Sequence, residues 1–195
     1  MVEKESGSPF TCEICILAGG LSKRMGRDKA RLRLGANTMV GQIRATVSRM
    51  GWPVSVIRKD LVPRCGPLGG VYTALKTTKS DAVLFLACDM PFLGIEVLNC
   101  LLDEYRSTRQ SIFTSYRGRV GFPFVLPRWC VDDVAKQIER GEFSLQALAN
   151  FLRGTIISIP QRLAPQFRNV NTHSEWESAR SLWSRRKSKR SGPTF

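Results

Sequence analysis

The sequence predicts a three-layer α/β fold with a mostly parallel central sheet. Short apolar segments alternate with helix-like segments along the chain, which is the order of elements found in parallel sheets covered by helices. The most apolar segment, residues 82–88, is too continuous for a half-exposed strand and indicates a strand buried on both faces. With 195 residues, 43% of them hydrophobic, the chain is expected to form a single domain, which we place at residues 1–183.

Five elements are predicted in the first half of the chain. The apolar run at residues 12–18 ends abruptly at Gly19, as a buried strand does where it meets a functional loop. Gly51 and Pro53 stop a segment whose apolar residues recur at helical spacing. The predicted elements are a strand at residues 12–18, a helix at 38–50, a strand at 54–57, a helix at about 71–77 and a strand at 81–88.

Six further elements are predicted in the second half. They are a helix at residues 94–105, a strand at 122–126, helices at 131–140 and 144–151, a strand at 155–159 and a helix that begins near Thr172. Two overlapping capping-box candidates mark the start of the last helix, because Thr172 and Ser174 each precede a glutamate by three residues.

The charge of the chain indicates an anionic partner. Lys and Arg total 30 against 16 Asp and Glu, a formal net charge of +14. One basic cluster lies between Lys23 and Arg33, and a second lies in residues 184–195, which we expect to be a disordered basic tail. There is neither aromatic interleaving nor zinc-knuckle spacing, so no specific nucleic-acid partner is expected.

Composition also predicts where in the cell the protein lies, and it argues against a zinc site and against two classes of hydrolase. Residues 1–10 are polar and do not resemble a signal peptide, and no apolar run could span a bilayer, so we expect a cytoplasmic protein without a membrane partner. Cys12 and Cys15 have C-x-x-C spacing, but residues three apart in a strand face opposite sides, which favours structural cysteines over zinc ligands. A single histidine and the absence of a G-x-S-x-G motif argue against a serine or cysteine hydrolase.

Ligands of open parallel sheets bind beyond the carboxyl ends of the central strands, and three segments of this chain satisfy that rule. The first follows Ala18, where Gly19 and Gly20 leave backbone N–H groups accessible to phosphate oxygens. Arg24 and Lys29 supply positive charge nearby, so the loop suits a triphosphate. The alternative is a glycine turn followed by solvated basic residues.

The second segment is the turn at Asp89, and the third is residues 169–172. Asp89 follows the most apolar strand, where an isolated carboxylate is costly unless a cation compensates, and Mg²⁺ is commonly held by one or two carboxylates plus phosphates. The alternative is an aspartate that caps the following turn. Asn169 and Asn171 could face the same pocket and contact a substrate, or serve only as part of a helix cap.

Four motifs resemble those of molybdenum cofactor guanylyltransferases, in the order of that family. Residues 17–29 match its signature L-A-G-G-x-S-x-R-M-G-x-D-K at every fixed position. The others are Gly-Pro-Leu-Gly-Gly at 66–70, Cys-Asp-Met-Pro at 88–91 and Asn-Val-Asn-Thr at 169–172. The sister cytidylyltransferases tend to have L-A-A-G in the first motif, so L-A-G-G favours guanine.

The resemblance implies a Rossmann-like nucleotidyltransferase fold and a role for each matching residue. Leu17, Ala18 and Gly19 would bind GTP through their backbone, together with Gly20 and Arg24. Lys29 would contact the phosphates and Asp89 would hold Mg²⁺, which makes these two the implied catalytic residues. The implied reaction joins GMP to the terminal phosphate of molybdopterin and releases pyrophosphate. The implied partners are GTP, molybdopterin, and molybdoenzymes or other cofactor-synthesis proteins.

One segment departs from the family pattern. Between residues 50 and 66 the family usually has a strand, a helix and a second strand, whereas here only residues 54–57 fit a strand. We align that strand with the one just before Gly66, which leaves the preceding strand and helix absent. The nucleotide-binding aspartate of the family then falls on Lys59 or, with a slip of one residue, on Asp60, and we assign Asp60.

The departure keeps two other functions open. One is the same chemistry on another substrate, as in a cytidylyltransferase or a sugar-phosphate nucleotidyltransferase. The other is a non-catalytic protein that binds nucleotide or molybdopterin without turnover.

Overall fold

Eight strands and six helices make up the structure, a computed structural model that describes residues 10–19 and 32–190. The strands are β1 (Cys12–Leu17), β2 (Arg33–Leu34), β3 (Asn37–Thr38), β4 (Val54–Ile57), β5 (Ala82–Ala87), β6 (Ile112–Tyr116), β7 (Arg119–Pro127) and β8 (Thr155–Ser158). The helices are α1 (Met39–Val47), α2 (Pro67–Thr77), α3 (Ile95–Thr108), α4 (Val131–Glu139), α5 (Leu145–Phe151) and α6 (His173–Arg190).

Six of the strands form one sheet in the spatial order β4-β1-β5-β7-β6-β8. β1 pairs in parallel with both β4 and β5, and β6 pairs in parallel with β8. β7 is antiparallel to both of its neighbours and joins these two parallel groups. All strands of this sheet except β7 therefore point the same way, which confirms the mostly parallel sheet.

Helices cover both faces of this sheet and produce three layers. One apolar cluster contains residues of α1 and α3, such as Ile43 and Leu98, and includes Cys12 of β1. The cluster on the opposite face contains Leu68 of α2 and includes Cys15. The two cysteines thus face opposite sides, as their spacing predicts, and burial raises the pKa of each thiol to about 12. Both are free and buried.

Three short strands, β2, β3 and β6, were not predicted. β6 lies in a stretch with no continuous apolar run, and it is joined to β7 by a tight turn in which Arg117 and Gly118 both have positive φ (52° and 74°). Positive φ at both central residues is typical of the turns that match the twist of a β-hairpin. The hairpin of β2 and β3, with two residues in each strand, is too short to give a periodic signal.

α2 begins four residues before the predicted start. Pro67 occupies its first turn, where a missing N–H costs nothing, so Gly69 and Gly70 lie inside the helix and not in the loop before it. The glycines are tolerated there because other groups pack tightly against them. A Cβ at Gly69 would lie only 2.6 Å from the carbonyl oxygen of Val62.

α6 extends into the segment that was expected to form the basic tail. The helix continues from Ser184 to Arg190, within the segment expected to be disordered. Arginine and lysine are good helix formers and are favoured near a helix C-terminus, so the helix that Trp176 and Trp183 anchor can extend through this basic stretch. Residues 191–195 lie outside the described residues. Across the described ranges, no helix has the length and apolar character that crossing a membrane would require.

Candidate functional site

The start of the glycine loop and the loops that follow β4 and β5 meet at the carboxyl edge of the sheet. Ala18 N–H donates to the carbonyl oxygen of Ile57 (2.8 Å), and Cys88 N–H donates to that of Leu17 (3.1 Å). Because β1 lies between β4 and β5, Ala18 and Gly19, which directly follow β1, have the other two loops on either side. The structure therefore brings the first residues of the glycine loop and the Asp89 turn to one place.

Asp60, in the loop after β4, lies against glycines of two different elements. A Cβ at Gly19 would be 3.4 Å from Asp60 Oδ1, and a Cβ at Gly69 would be 2.8 Å from Asp60 Oδ2. Gly69 is in the first turn of α2, where the helix dipole favours a negative charge. Of the two positions that the resemblance leaves open, Asp60 is the one with this contact to the glycine loop.

The surroundings of Asp60 leave its carboxylate able to accept hydrogen bonds from a ligand. Burial raises the pKa of this carboxyl above its usual range. Within the described part of the chain, no hydrogen-bond donor or cation lowers that pKa in return. A ligand whose N–H groups reach this carboxylate would favour its charged form.

Asp89 is half-buried in the turn that directly follows β5. The backbone of this turn is held on two sides. Cys88 N–H donates to the carbonyl oxygen of Leu17 at the end of β1 (3.1 Å), and the carbonyl oxygen of Asp89 accepts a hydrogen bond from Val170 N–H (2.8 Å). The third predicted segment, residues 169–172, is thereby joined to the first two.

Residues 169–172 lead into α6 through the predicted capping box. Glu175 Oε2 accepts hydrogen bonds from the N–H groups of Asn171 (2.7 Å) and Thr172 (2.9 Å). Thr172 Oγ1 accepts one from Glu175 N–H (3.2 Å), so of the two candidates Thr172 and Glu175 form the box. Asn171 is half-buried and Asn169 is exposed.

The donor set at this edge fits a hard divalent cation that is only partly held by protein. No group of three or more His, Cys, Asp or Glu side chains that could hold a metal occurs among residues 10–19 and 32–190. A site of that kind would bind Zn²⁺ or Ca²⁺ tightly, whereas Mg²⁺ is commonly held by one or two carboxylates, water and substrate phosphates. The carboxylate of Asp89, in the turn beside the start of the glycine loop, fits the latter arrangement.

A cleft of about 630 Å³ opens beside Asn169, at the carboxyl ends of β6 and β8. Its polar and aromatic lining includes Tyr116, Arg117, Gln161, Phe167, Arg168, Asn169, Ser174 and Glu175. Tyr116 and Phe167 form its apolar wall, with ring centroids 5.6 Å apart, and the Arg117 guanidinium lies 5.3 Å from the Tyr116 ring centroid. The cleft therefore presents two arginines, Arg117 and Arg168, that can pair with an anionic group.

Most of the residues that line the cleft were not predicted from the sequence to belong to a site. Tyr116 and Arg117 belong to the unpredicted strand β6 and its turn, and the Arg-Gly pair at 117–118 is the local signal that could have revealed the hairpin. Arg168 directly precedes the Asn-Val-Asn-Thr motif but lies outside its pattern.

Gly20, Arg24 and Lys29, three of the predicted nucleotide-binding residues, lie outside the described residues. The described chain resumes at Leu32, whose carbonyl oxygen accepts a hydrogen bond from Met39 N–H (2.8 Å). The remaining predicted site residues all lie at the carboxyl edge of the sheet, and they are Leu17, Ala18, Gly19, Asp60, Asp89, Asn169 and Asn171.

The sequence is similar to a family of known nucleotidyltransferases. Residues 14–154 match the model of the MobA-like NTP transferase domain. A probable molybdenum cofactor guanylyltransferase of Opitutus terrae is 29% identical over 168 residues, covering 75% of this chain and 83% of the relative. A protein of the same description from Clostridium perfringens is 27% identical over 186 residues, covering 83% of this chain and 92% of the relative.

Solved structures share the fold at low sequence identity. The molybdopterin-guanine dinucleotide biosynthesis protein A of Archaeoglobus fulgidus has a TM-score of 0.70 and 17% identity, covering 89% of this chain and 99% of the other. The 2-C-methyl-D-erythritol 4-phosphate cytidylyltransferase of Thermus thermophilus has a TM-score of 0.66 and 12% identity, with coverage of 89% and 99%. The match of the family model over most of the chain, with the fold and the glycine loop in agreement, shows that this chain belongs to the MobA-like NTP transferase family of nucleotidyltransferases.

Proposed function

We propose that this protein transfers GMP from GTP to molybdopterin with the help of Mg²⁺ and releases pyrophosphate. The observation that carries the proposal is the meeting of three segments at one edge, where Asp60 and the Asp89 turn lie on either side of Leu17, Ala18 and Gly19. The names of the relatives from Opitutus terrae and Clostridium perfringens support guanylyl transfer.

The glycine loop and Asp60 would bind the nucleotide. Backbone N–H groups after β1 would hold the phosphates, and Gly20, Arg24 and Lys29 are assigned to this loop by their motif. The N1–H and N2–H₂ groups of guanine are adjacent donors, and an ionised carboxylate can accept both. Asp60 therefore favours guanine, and the bonds would relieve the cost of its burial.

Asp89 would hold the metal, and the residues around it would align the reaction. Nucleotidyltransferases of this family generally use a divalent metal, and a solved structure of Rv0371C from Mycobacterium tuberculosis, similar in fold (TM-score 0.56), is a complex with manganese. A Mg²⁺ ion bound there would neutralise charge on the phosphates. The Asp89 turn is fixed between β1 and residues 169–171, so its carboxylate would be held near the triphosphate without needing to move.

The cleft beside Asn169 would bind molybdopterin. Its aromatic wall suits a planar ring system, while Arg117 and Arg168 suit a phosphate. An oxygen of the terminal phosphate attacks the α-phosphorus of GTP and forms a new P–O bond. The bond from the α-phosphorus to the bridging oxygen breaks, and pyrophosphate leaves with that electron pair. Positioning and charge neutralisation are the main requirements of such a transfer, and no covalent enzyme intermediate is needed.

Pyrophosphate release tests the proposal directly. Purified protein incubated with MgGTP and molybdopterin should release pyrophosphate, and the same mixture with EDTA should not. Absence of release with every nucleoside triphosphate would refute the enzymatic reaction and favour the non-catalytic alternative. Release with CTP or UTP but not with GTP would replace the guanylyl assignment by another nucleotidyltransferase reaction.

Calorimetry of nucleotide binding tests the role of Asp60. We expect GTP to bind more tightly than CTP or UTP, and Asp60→Asn to reduce that preference by about 10- to 100-fold, the worth of hydrogen bonds to a charged group. Asp132 is exposed at the start of α4, which follows the end of β7 that pairs with the start of β5, at the opposite edge of the sheet. It provides the control variant Asp132→Asn, which should keep the preference. Equal affinities for GTP and CTP in the unmodified protein would contradict the proposed role of Asp60.

The acceptor cleft has its own matched pair of variants. Arg117 lines the cleft, whereas Arg119 is exposed on the other side of Gly118 and is not part of the lining. Arg117→Ala should raise the KM for molybdopterin about tenfold without changing the KM for GTP. Arg119→Ala should change neither. A rise in the KM for GTP alone would contradict the assignment of this cleft to the acceptor.

A further inference from the structure

The Asp89 turn contacts both α6 and the segment that leads into it. Val170 N–H donates to the carbonyl oxygen of Asp89 (2.8 Å), and Val170 is fully buried. Phe92, three residues after Asp89, packs in the same apolar cluster as Val170 and Ala179 of α6. The backbone of the turn is therefore bonded to the segment just before α6, and the residues that follow the turn pack against α6 itself.

Glu175 fixes the segment that makes this support. A single carboxylate oxygen accepts hydrogen bonds from the two consecutive N–H groups that follow Val170, those of Asn171 (2.7 Å) and Thr172 (2.9 Å). Hydrogen bonds to an ionised acceptor are about twice as strong as neutral ones. The direction of the peptide at Val170, and with it the bond to Asp89, therefore depends on the side chain of Glu175.

Two tryptophans of α6 fix the position of this helix, and with it the position of Glu175 in its first turn. The Trp176 indole N–H donates to the carbonyl oxygen of Arg33 (3.3 Å). The Trp183 ring lies 6.1 Å from the ring of Phe92 and covers Gly35, where a Cβ would be only 2.9 Å from Trp183 Nε1. These contacts fix the helix against both the β2–β3 hairpin and the residues after Asp89.

We propose that Glu175 is a positioning residue that sets the Asp89 turn through the N–H groups of Asn171 and Thr172. The inference rests on the proposed function, in which Asp89 holds the metal. It extends that function by assigning the orientation of Asp89 to a side chain that lies 86 positions later in the sequence. Residues that orient a metal ligand typically affect metal affinity or activity by about 10- to 100-fold when they are removed.

Three variants separate this role from that of an ordinary helix cap. Glu175→Ala removes the acceptor, whereas Glu175→Gln keeps an oxygen that can accept the same two N–H groups. Glu177→Ala is the control, since Glu177 is exposed on the same helix and pairs only weakly with His173, with Nδ1 and Oε1 3.6 Å apart. All three are compared with the unmodified protein by amide hydrogen exchange and by the Mg²⁺ concentration that gives half-maximal pyrophosphate release.

We expect Glu175→Ala to speed exchange of the Val170 amide about tenfold and to raise the half-maximal Mg²⁺ concentration about tenfold, with the KM for GTP unchanged. Glu175→Gln should restore both values to within about threefold, and Glu177→Ala should match the unmodified protein. Lower thermal stability of Glu175→Ala with unchanged exchange at Val170 and unchanged Mg²⁺ dependence would overturn the proposal. Equal impairment of the Gln and Ala variants would also overturn it, because the charge would then act directly on a ligand.

The exchange measurement needs neither substrate nor metal. It therefore separates the failure of this proposal from the failure of the proposed function. Unchanged exchange in Glu175→Ala refutes the positioning role even in an active enzyme. Absence of pyrophosphate release by the unmodified protein refutes the proposed function, whatever the exchange rates are.

Discussion

Gly69 provides the sharpest test of how α2 and the Asp60 loop are packed. A Cβ at this position would lie 2.6 Å from the carbonyl oxygen of Val62 and 2.8 Å from Asp60 Oδ2. The carbonyl belongs to the backbone, so it cannot rotate away as the end of a flexible side chain would. In the variant Gly69→Ala, the segment from Asp60 to Val62 must therefore move by most of an ångström.

Two opposing effects set the stability of Gly69→Ala. Alanine is favoured over glycine inside a helix by about 1 kcal/mol, whereas forcing an extra methyl group into a packed site costs about 1–3 kcal/mol. The expected net change is a destabilisation of up to about 2 kcal/mol, or a fall in Tm of up to about 8 °C for a chain of this length. Because Asp60 moves with the loop, GTP should also bind about 10- to 100-fold more weakly.

Gly70→Ala is the matched control for this experiment. A Cβ at Gly70 would meet Leu17 Cδ2 at 3.0 Å, which is the flexible end of a side chain. It should therefore be close to neutral in Tm, measured by calorimetric unfolding, and should bind GTP more tightly than Gly69→Ala does. A Gly69→Ala protein that is as stable as the unmodified one and binds GTP equally well would refute the close packing of Asp60 against α2.

Three further predictions concern carboxylates. Asp89→Asn should reduce pyrophosphate release at least about 100-fold while GTP binding in the absence of metal is retained; retained turnover would remove Asp89 from the metal site. The pKa of Asp60 is raised by burial, so its unfavourable effect on stability appears as pH rises through that pKa. Asp60→Asn should accordingly have a higher Tm than the unmodified protein at pH 7, with the difference shrinking towards pH 3, and a lower Tm at pH 7 would contradict burial as the cause of the shift. The pKa of Asp81 is lowered by hydrogen bonds from the Thr11 backbone and side chain, so its contribution is present at neutral pH and is lost as pH falls. Asp81→Asn should lower Tm slightly at pH 7 and have no effect near pH 2, and an equal loss at both values would exclude the carboxylate charge as the reason.

The elements with strong local signals were predicted correctly. The continuous apolar character of β5 indicates a central strand, and the structure places it between β1 and β7. The capping box of Thr172 and Glu175 identified the start of α6. Such signals depend on residues within one turn or one strand, and they are therefore visible without the fold.

The errors occurred where distant contacts override local preference. Gly69 and Gly70 looked like part of a loop because glycine disfavours helix interiors by about 1 kcal/mol relative to alanine. They lie inside α2, and the Asp60 loop and Leu17 occupy the space that a side chain at either position would need. The length of α6, which continues beyond the anchored Trp183 to Arg190, was likewise not specified by any apolar period.

The sequence by itself determined the alternation of strands and helices, the glycine loop after β1 and the position of Asp89 at the end of a buried strand. Each of these is encoded in neighbouring residues, through apolar runs, glycine and the distance to the next turn. Only the tertiary structure decided that Asp60 packs on Gly19, that Val170 supports Asp89, and that the hairpin of β6 and β7 completes a cleft with α6. These contacts join residues dozens of positions apart, and they follow from the order of strands in the sheet, which no local pattern specifies.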